Sequence, residues 1–125
     1  MAWQLTSDRP IYNQIIEKVT LDIVSGVYSP GEKLPSVRDF ASEAGVNPNT
    51  MQKALAELER NGLVASMRTS GRFITEDNTL IQQEKERLAT ETVSAFVEQM
   101  KRIGMEATQV IDMVANNFQK QEENV

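Results

Sequence analysis

A polar run between residues 49 and 60 carries the side chains of this sequence that are best suited to recognition chemistry. It contains the amides Asn49 and Gln52 and the cations Lys53 and Arg60. Amides and cations hydrogen-bond to base edges and phosphate oxygens, so this set favours contact with a nucleic acid. Asn49 and Gln52 suit an adenine edge, whereas Thr50 and Lys53 suit phosphates. The same set is also compatible with the solvated face of an ordinary helix.

Side chains for enzymatic chemistry are scarce. The sequence has no cysteine and no histidine, which excludes disulfides, Cys/His metal sites, thiol catalysis and imidazole acid-base catalysis. Closely spaced acids do occur, but spacings of one or two on a helix point in different directions, so we interpret them as solvated charges. We predict no enzyme, no catalytic residue, no cofactor and no metal. The acidic pairs are Glu57/Glu59, Glu84/Glu86 and Glu122/Glu123.

Two short helices joined by a tight turn are predicted to position the polar run. Ser36 begins a capping-box pattern, Gly45 is a left-handed helix stop, and Asn47 precedes Pro48 as the next N-cap. These signals predict helices over residues 37–44 and 48–60. At about 100° per residue, the second helix has an apolar side opposite the polar run. That side consists of Met51, Ala54, Leu55 and Leu58.

A basic hairpin is predicted after this helix pair. Asn61-Gly62 ends the second helix, and residues 63–67 and 72–75 read as strands around the turn Arg68-Thr69-Ser70-Gly71. A helix-turn-helix followed by such a hairpin is the winged-helix arrangement. The fold class we predict is mainly α (α+β), a winged helix-turn-helix.

An amphipathic helix is predicted before the pair, between residues 5 and 28. Gly26 ends it, and residues 32–34 form an extended piece that could pair with the wing. Trp3 is interpreted as a packing residue rather than a ligand-stacking group. The apolar stripe of the helix is Ile11, Ile15, Val19 and Ile23, widened by Ile16 and Val24.

Two further helices are predicted in residues 78–125, one over residues 80–102 and one beginning near Ala107, separated by Gly104. Residues 119–125 read as a frayed polar tail. Two helices cannot bury both of their apolar stripes against each other and also cover a winged helix, so a second copy is the economical partner. The predicted dimerisation residues are Leu88, Phe96, Met100, Ile103, Val110, Ile111, Val114 and Phe118.

Several short motifs occur in order along residues 5–75. They are Pro10-Ile11-Tyr12, Gln14-Ile15, Ser25-Gly26, Pro30-Gly31, Lys33-Leu34-Pro35-Ser36-Val37-Arg38, Val46-Asn47-Pro48-Asn49-Thr50 and Glu57-Leu58-Glu59. Together these motifs resemble the DNA-binding domain of GntR-family transcriptional regulators, and the form Val-Asn-Pro-Asn-Thr is similar to the YtrA subfamily. The resemblance implies a winged-helix dimer that binds a short palindromic operator.

The resemblance also implies residue roles. Arg38, Asn49, Thr50 and Gln52 match DNA contacts of the family, and Gly71 matches the wing tip that approaches the minor groove. Together with the basic and polar residues around them, they complete the predicted set. The predicted DNA-binding residues are Ser36, Arg38, Asn47, Asn49, Thr50, Gln52, Lys53, Arg68, Ser70, Gly71 and Arg72.

Two positions depart from the family pattern. Pro48 stands where other subfamilies commonly have an arginine, and Thr69 stands where many members have the first wing glycine. A YtrA-type protein is implied to carry a short two-helix dimerisation segment in place of a large effector domain. We therefore predict a DNA-binding domain over residues 1–77 and a helical dimerisation segment over residues 78–125.

The charge balance is acidic overall but not at the predicted site. The net charge is -5, which opposes DNA binding in general. Residues 38–72, however, carry five Lys/Arg and four Asp/Glu. No apolar run approaches a membrane span, and the start of the chain, Met1-Ala2-Trp3-Gln4, lacks signal-peptide features. We expect a soluble cytoplasmic protein with no membrane partner.

Two function classes remain after enzymes are set aside. The first is a transcriptional regulator, expected to repress, that binds a palindromic double-stranded operator as a homodimer. The second is a winged-helix protein-interaction module that does not bind DNA. The sequence does not distinguish repression from activation. It also leaves open the operator sequence, the target genes, the dimer geometry and whether a small-molecule effector binds.

Overall fold

The fold is described by a computed structural model over residues 3–124. Met1 and Ala2, part of the start predicted to lack a signal peptide, and Val125, the end of the predicted polar tail, lie outside the described residues. The predicted fold class is confirmed, because the helices and a two-stranded antiparallel sheet occur in the expected order. The elements are α1 (Ile11–Val24), α2 (Val37–Ala44), α3 (Pro48–Arg60), β1 (Val64–Met67), β2 (Gly71–Ile74), α4 (Asn78–Ile103) and α5 (Ala107–Glu123).

Helix α1 buries the predicted apolar stripe, with Ile15, Val19 and Ile23 in the core. Its unexpected feature is the buried amide of Gln14. The Gln14 Nε2 group donates to the carbonyls of Thr6 at 2.8 Å and Arg9 at 2.9 Å, and its Oε1 accepts from the backbone N–H of Thr6 at 2.8 Å. Because each polar atom of this amide is paired, burying it carries no unmet hydrogen bond. It ties the segment before α1 to the helix.

The predicted caps define the helix-turn-helix. Ser36 Oγ accepts from the backbone N–H of Asp39 at 3.1 Å, and Asn47 Oδ1 accepts from that of Asn49 at 2.7 Å. Between the helices, Gly45 adopts φ 76°, a left-handed conformation that costs a residue with a Cβ more than glycine. The predicted bounds of α2 and α3 are confirmed.

The core lies between α1, α2 and α3, with the first strand and the start of α4 added at its edge. Met51, Ala54, Leu55 and Leu58 are each 0% exposed, as predicted from the periodicity of α3. Trp3 packs edge-on against the buried ring of Phe40, with the ring centroids 5.2 Å apart. This confirms Trp3 as a packing residue.

The wing is an antiparallel pair in which Val64 lies opposite Ile74 and Met67 lies opposite Gly71. The first strand begins one residue later than the predicted 63–67, and the second begins and ends one residue earlier than the predicted 72–75. A third extended piece joins them, as predicted. The Leu34 N–H donates to the Arg72 carbonyl at 2.9 Å, and the Ile74 N–H donates to the Glu32 carbonyl at 2.8 Å.

Helices α4 and α5 differ from prediction at their ends. Asp77 Oδ1 accepts from the backbone N–H groups of Thr79 and Leu80, both at 3.1 Å, so α4 begins before the predicted residue 80. Gly104 separates the helices at φ 91°. The predicted fraying from residue 119 is wrong for residues 119–123, which are helical. Gln, Lys and Glu are good helix formers, and their polarity says nothing against a helix.

The chain forms two compact units, and the boundary between them falls between Glu86 and Arg87, inside α4. The first unit extends beyond the start of α4 because Leu80 and Ile81 pack against its core. The boundary predicted after residue 77 stays a prediction about function. Within residues 3–124, no helix combines the length and the apolar character that crossing a bilayer requires.

The burial of α3 yields a first prediction. Met51→Ala should lower the free energy of unfolding by about 2 to 5 kcal/mol, because it removes a fully buried side chain and leaves a cavity. Urea titration followed by circular dichroism measures this. Lys53→Ala, on the exposed side of the same helix, is the control and should change stability by less than about 0.5 kcal/mol. Equal effects of the two variants would contradict the observed orientation of α3.

Candidate nucleic-acid interface

The exposed side of α3 presents the predicted polar run to solvent. Asn49, Gln52 and Lys53 are exposed, and the Arg60 side chain is 73% exposed. Arg60 is paired with Glu57 one turn earlier, so its charge is partly neutralised. The amides and Lys53 therefore form the part of this side most suited to contact with a base edge or a phosphate.

The first turn of α2 adds Ser36 and Arg38, both exposed. The caps of α2 and α3 use oxygen atoms of Ser36 and Asn47 as acceptors. Capping therefore leaves the hydroxyl proton of Ser36 and the side-chain NH₂ of Asn47 as donors. Both residues can cap a helix and also donate to a phosphate oxygen, as helix N-termini in nucleic-acid interfaces do.

The tip of the wing is exposed from Arg68 to Gly71. Gly71 has φ 101°, so the backbone there favours glycine, and a Cβ built on it would lie 3.3 Å from Cε of the flexible Lys33 side chain. Thr69 adopts no positive φ, since within residues 3–124 only glycines do. The departure of Thr69 from the glycine common in the family therefore introduces no strain of this kind.

Arg72 differs from the other predicted contacts, because its side chain is only 17% exposed and is already paired. Its Nε donates to Glu59 Oε1 on α3, and the same oxygen accepts from Ser66 Oγ on β1 at 2.6 Å. Arg72 Nη1 donates to Gln52 Oε1 at 3.3 Å, a long hydrogen bond. We refer to Gln52, Glu59, Ser66 and Arg72 as the wing network.

The wing network lowers the pKa of Glu59. Partial burial of the carboxyl raises its pKa, but the hydrogen bonds from Ser66 and Arg72 and the positive charge of Arg72 outweigh burial. The net result is a pKa held below the ordinary value of 4.5. Glu59 is thus ionised at neutral pH and holds the wing to α3 as a carboxylate.

Two grooves bring in residues that the sequence analysis missed. One lies between α1 and α3 and adds Tyr12 to Thr50, Lys53 and Arg60. The other lies between the start of α2 and the wing and adds Lys33. Tyr12 stands in the Pro10-Ile11-Tyr12 motif, which was the available signal. Lys33 stands in the extended piece that was predicted to pair with the wing, and the bridge between Lys33 and Phe73 confirms that pairing.

The unit after Glu86 carries the other predicted surface. No residue of α4 or α5 is buried, and Ile103, Ile111 and Phe118 are 68%, 65% and 66% exposed. We refer to the predicted dimerisation residues of α4 and α5 as the apolar face. Most of them line an open cavity of about 340 Å³ or the groove beside it, whereas Leu88 and Ile103 line neither. The cavity lining is Phe96, Met100, Val110, Met113, Val114, Asn117 and Phe118, and the neighbouring groove adds Val97, Met105 and Ile111.

A capped helix pair, an exposed polar second helix and a two-stranded wing define a winged helix-turn-helix protein. The model of "Bacterial regulatory proteins, gntR family" matches residues 11–74, which span these elements from α1 to β2. The chain belongs to the GntR family.

Relatives in Bacillus subtilis agree with this assignment. The chain is 38% identical over 109 residues to the uncharacterized HTH-type transcriptional regulator YhcF, covering 87% of this chain and 90% of that protein. It is 44% identical over 78 residues to the HTH-type transcriptional repressor YtrA, covering 61% of this chain and 60% of that protein. The predicted resemblance to the GntR family and its YtrA type is confirmed.

Solved structures extend the similarity to three dimensions. A GntR-family transcriptional regulator from Listeria monocytogenes superposes with a TM-score of 0.85 at 35% identity, covering 90% of this chain and 98% of that chain. The AraR DNA-binding domain in complex with operator ORX1 superposes with a TM-score of 0.52 at 28% identity, covering 60% of this chain and 92% of that chain. This chain is a helix-turn-helix transcriptional regulator.

The lowered pKa of Glu59 predicts a pH-dependent contribution to stability. A carboxyl whose pKa is lower in the folded chain stabilises the fold above its unfolded pKa and loses that contribution as pH falls through the folded pKa. Glu59→Gln should therefore be less stable than wild type at pH 7, and the difference should shrink below pH 4.5. Thermal unfolding at a series of pH values measures it. A difference that is constant from pH 7 to pH 3 would contradict the role of the Glu59 charge.

Proposed function

We propose that this regulator binds a palindromic double-stranded DNA operator as a homodimer, in the cytoplasm, and represses transcription. The observation that carries the proposal is that one side of α3 is buried in the core and the other side is exposed. Met51 and Leu55 are 0% exposed, which leaves Asn49, Gln52 and Lys53 on the outer side. A helix with a rigid apolar side and an exposed amide-and-cation side is suited to lie in a major groove.

The predicted contacts divide into reading and positioning roles. Asn49 and Gln52 carry amides that suit base edges, whereas Thr50 and Lys53 suit phosphate oxygens. Arg38 presents a fork of donors that suits either a phosphate or a guanine edge. At the periphery, backbone positioning is assigned to Ser36, Asn47, Arg68, Ser70 and Gly71, all exposed at the helix starts and wing tip.

Support for the DNA partner comes from the AraR domain of similar fold, which is seen in complex with an operator. Support for repression comes from relatives that are named repressors, including YtrA. The net charge of -5 is compatible with this proposal, because residues 38–72 carry five Lys/Arg against four Asp/Glu, so the acidic excess lies outside this stretch. A moderate positive surface favours selective over indiscriminate DNA binding.

The homodimer rests on the apolar face of α4 and α5. Four of its side chains, Phe96, Ile103, Ile111 and Phe118, are between 36% and 68% exposed, and the same helices also expose Val93, Val97 and Met113. Apolar patches of this extent on a small unit mark an interaction surface. A second copy is the partner we propose, since two identical faces are self-complementary under twofold symmetry and a dimer matches a palindrome.

Substitutions of the base-reading and phosphate-contacting residues of α3 should change DNA affinity in different ways. Gln52→Ala should cost about 1 to 3 kcal/mol on the preferred operator and much less on random DNA, because only a base contact carries sequence information. Lys53→Ala should weaken every duplex and lower the slope of log affinity against log salt by about one unit per half-site. Fluorescence anisotropy over a salt series with operator and scrambled duplexes measures both.

Lys85→Ala is the control for that experiment, because it removes the same charge from an exposed position on α4. It should leave the operator preference unchanged. Absence of any duplex binding by the wild-type chain at low salt would instead favour the alternative, a protein-interaction module. Equal losses on operator and scrambled duplexes for Gln52→Ala would assign that residue to positioning.

Disrupting the apolar face should separate the dimer into monomers. Phe118→Glu places a charge in the proposed interface, where an unpaired buried charge costs several kcal/mol, although the side chain is exposed in the single chain. Sedimentation velocity should show a monomer, and operator affinity should fall sharply. Asn116→Glu adds the same charge on the opposite side of α5 and should remain dimeric. A persistent dimer of Phe118→Glu would contradict the assignment.

A further inference from the structure

The wing network joins the wing to the helix that is proposed to read DNA. Arg72 lies on β2 and Ser66 on β1, and both bond to Glu59 at the far end of α3. Arg72 then extends back along α3 to Gln52, with Nη1 and Oε1 3.3 Å apart. One guanidinium thus connects a carboxylate and an amide that lie two turns apart on α3.

The chemistry of arginine determines how the Gln52 amide is turned. A guanidinium has five N–H donors and no acceptor, so only the oxygen of the Gln52 carboxamide can face Arg72. The carboxamide nitrogen Nε2 is therefore directed away from Arg72. Since Gln52 is exposed, this nitrogen is the outward polar atom of the side chain, while the oxygen is turned toward Arg72.

The charge of Arg72 is already used within the protein. Its side chain is 17% exposed, and that of Glu59 is 28% exposed. The low pKa of Glu59 keeps the carboxylate ionised, so the pair carries no net charge at neutral pH. An arginine that is neutralised and mostly buried releases few counterions from DNA, which distinguishes Arg72 from Lys53 and Arg68 on the exposed surface.

We propose that Arg72 is a positioning residue, held by Glu59, that orients the Gln52 amide so that Nε2 donates to a keto base, guanine or thymine, in the operator. The inference rests on the proposed DNA-binding function. Guanine O6 and thymine O4 are keto acceptors, whereas adenine N6 and cytosine N4 are donors that need the Gln52 oxygen; N7 accepts in both purines and does not distinguish them. The Gln52 oxygen faces Arg72, so the paired contact with adenine N6 and N7 expected from the sequence gives way to a contact with a keto oxygen.

The first test asks whether Arg72 acts through Gln52. Duplexes selected by the wild-type chain are scanned base pair by base pair, and the pair whose preference is lost in Gln52→Ala is the one that Gln52 reads. At that pair, Arg72→Ala should lose about tenfold discrimination, Gln52→Ala about the same, and the double variant no more than either. A double variant that loses about a hundredfold would show independent contacts and would overturn the proposal.

The second test separates positioning from a direct phosphate contact. Arg72→Ala should leave the salt slope of binding unchanged, whereas Lys53→Ala lowers it. Arg72→Lys keeps the charge but lacks the fork that bridges a carboxylate and an amide, so it should lose discrimination as Arg72→Ala does. A lowered slope for Arg72→Ala, with full rescue by Arg72→Lys, would show that Arg72 contacts phosphate.

The third test identifies the base. At the pair that Gln52 reads, replacing the keto oxygen by sulfur, as 6-thioguanine or 4-thiothymine, should weaken wild-type binding severalfold and leave Gln52→Ala unaffected. An unchanged wild-type affinity would overturn the keto assignment. If the wild-type chain selects no duplex at all, the proposed function fails. If it selects one but the Arg72 variants keep its base preference, only this inference fails.

Discussion

The packing of α3 against α1 and α2 is the constraint on which the rest of this structure depends. Four side chains of α3 are 0% exposed, so the helix cannot rotate about its axis without lifting apolar surface into water. Each buried aliphatic side chain contributes about 1.5 to 3 kcal/mol, and rotation would forfeit several at once. The outward direction of Asn49, Gln52 and Lys53 is therefore a consequence of the core.

The caps and the wing fix the remaining freedom of α3. Asn47 holds its first turn by accepting from the N–H of Asn49, close to the amides proposed to read bases. At the other end, Glu59 holds the wing through Ser66 and Arg72. The recognition surface is thus anchored at both ends by polar contacts and along its length by apolar ones. Such preorganisation reduces the conformational entropy that binding would otherwise cost.

The two units of the chain are stabilised in different ways. The first has a core in which Phe40, Leu55 and Leu58 are fully buried. In the second, over residues 87–124, no residue reaches that state. Isolated helices are marginal in water, because their stability in proteins comes mostly from packing an amphipathic side. The apolar face of the second unit is therefore the surface through which the proposed dimer would stabilise α4 and α5.

Local chemistry in the sequence determined most of the fold. Caps, glycine stops and apolar periodicity act within a few residues, so the bounds of α2 and α3 and the buried side of α3 were predictable from Ser36, Gly45, Asn47 and Met51. The family motifs extended this to the winged-helix class. The end of α5 was mispredicted, because a polar sequence such as residues 119–123 is as compatible with a helix as with a frayed tail.

Only the tertiary structure decided which polar groups are paired with one another. Arg72 and Glu59 are thirteen residues apart in sequence, and nothing in their spacing indicates that β2 lies against the end of α3. The same holds for Tyr12 of α1 beside Lys53 of α3. Contacts between distant segments depend on chain packing, whereas caps and stripes depend on neighbours. The physical reason is that a side chain reaches only a few ångströms, and folding alone decides what lies within that reach.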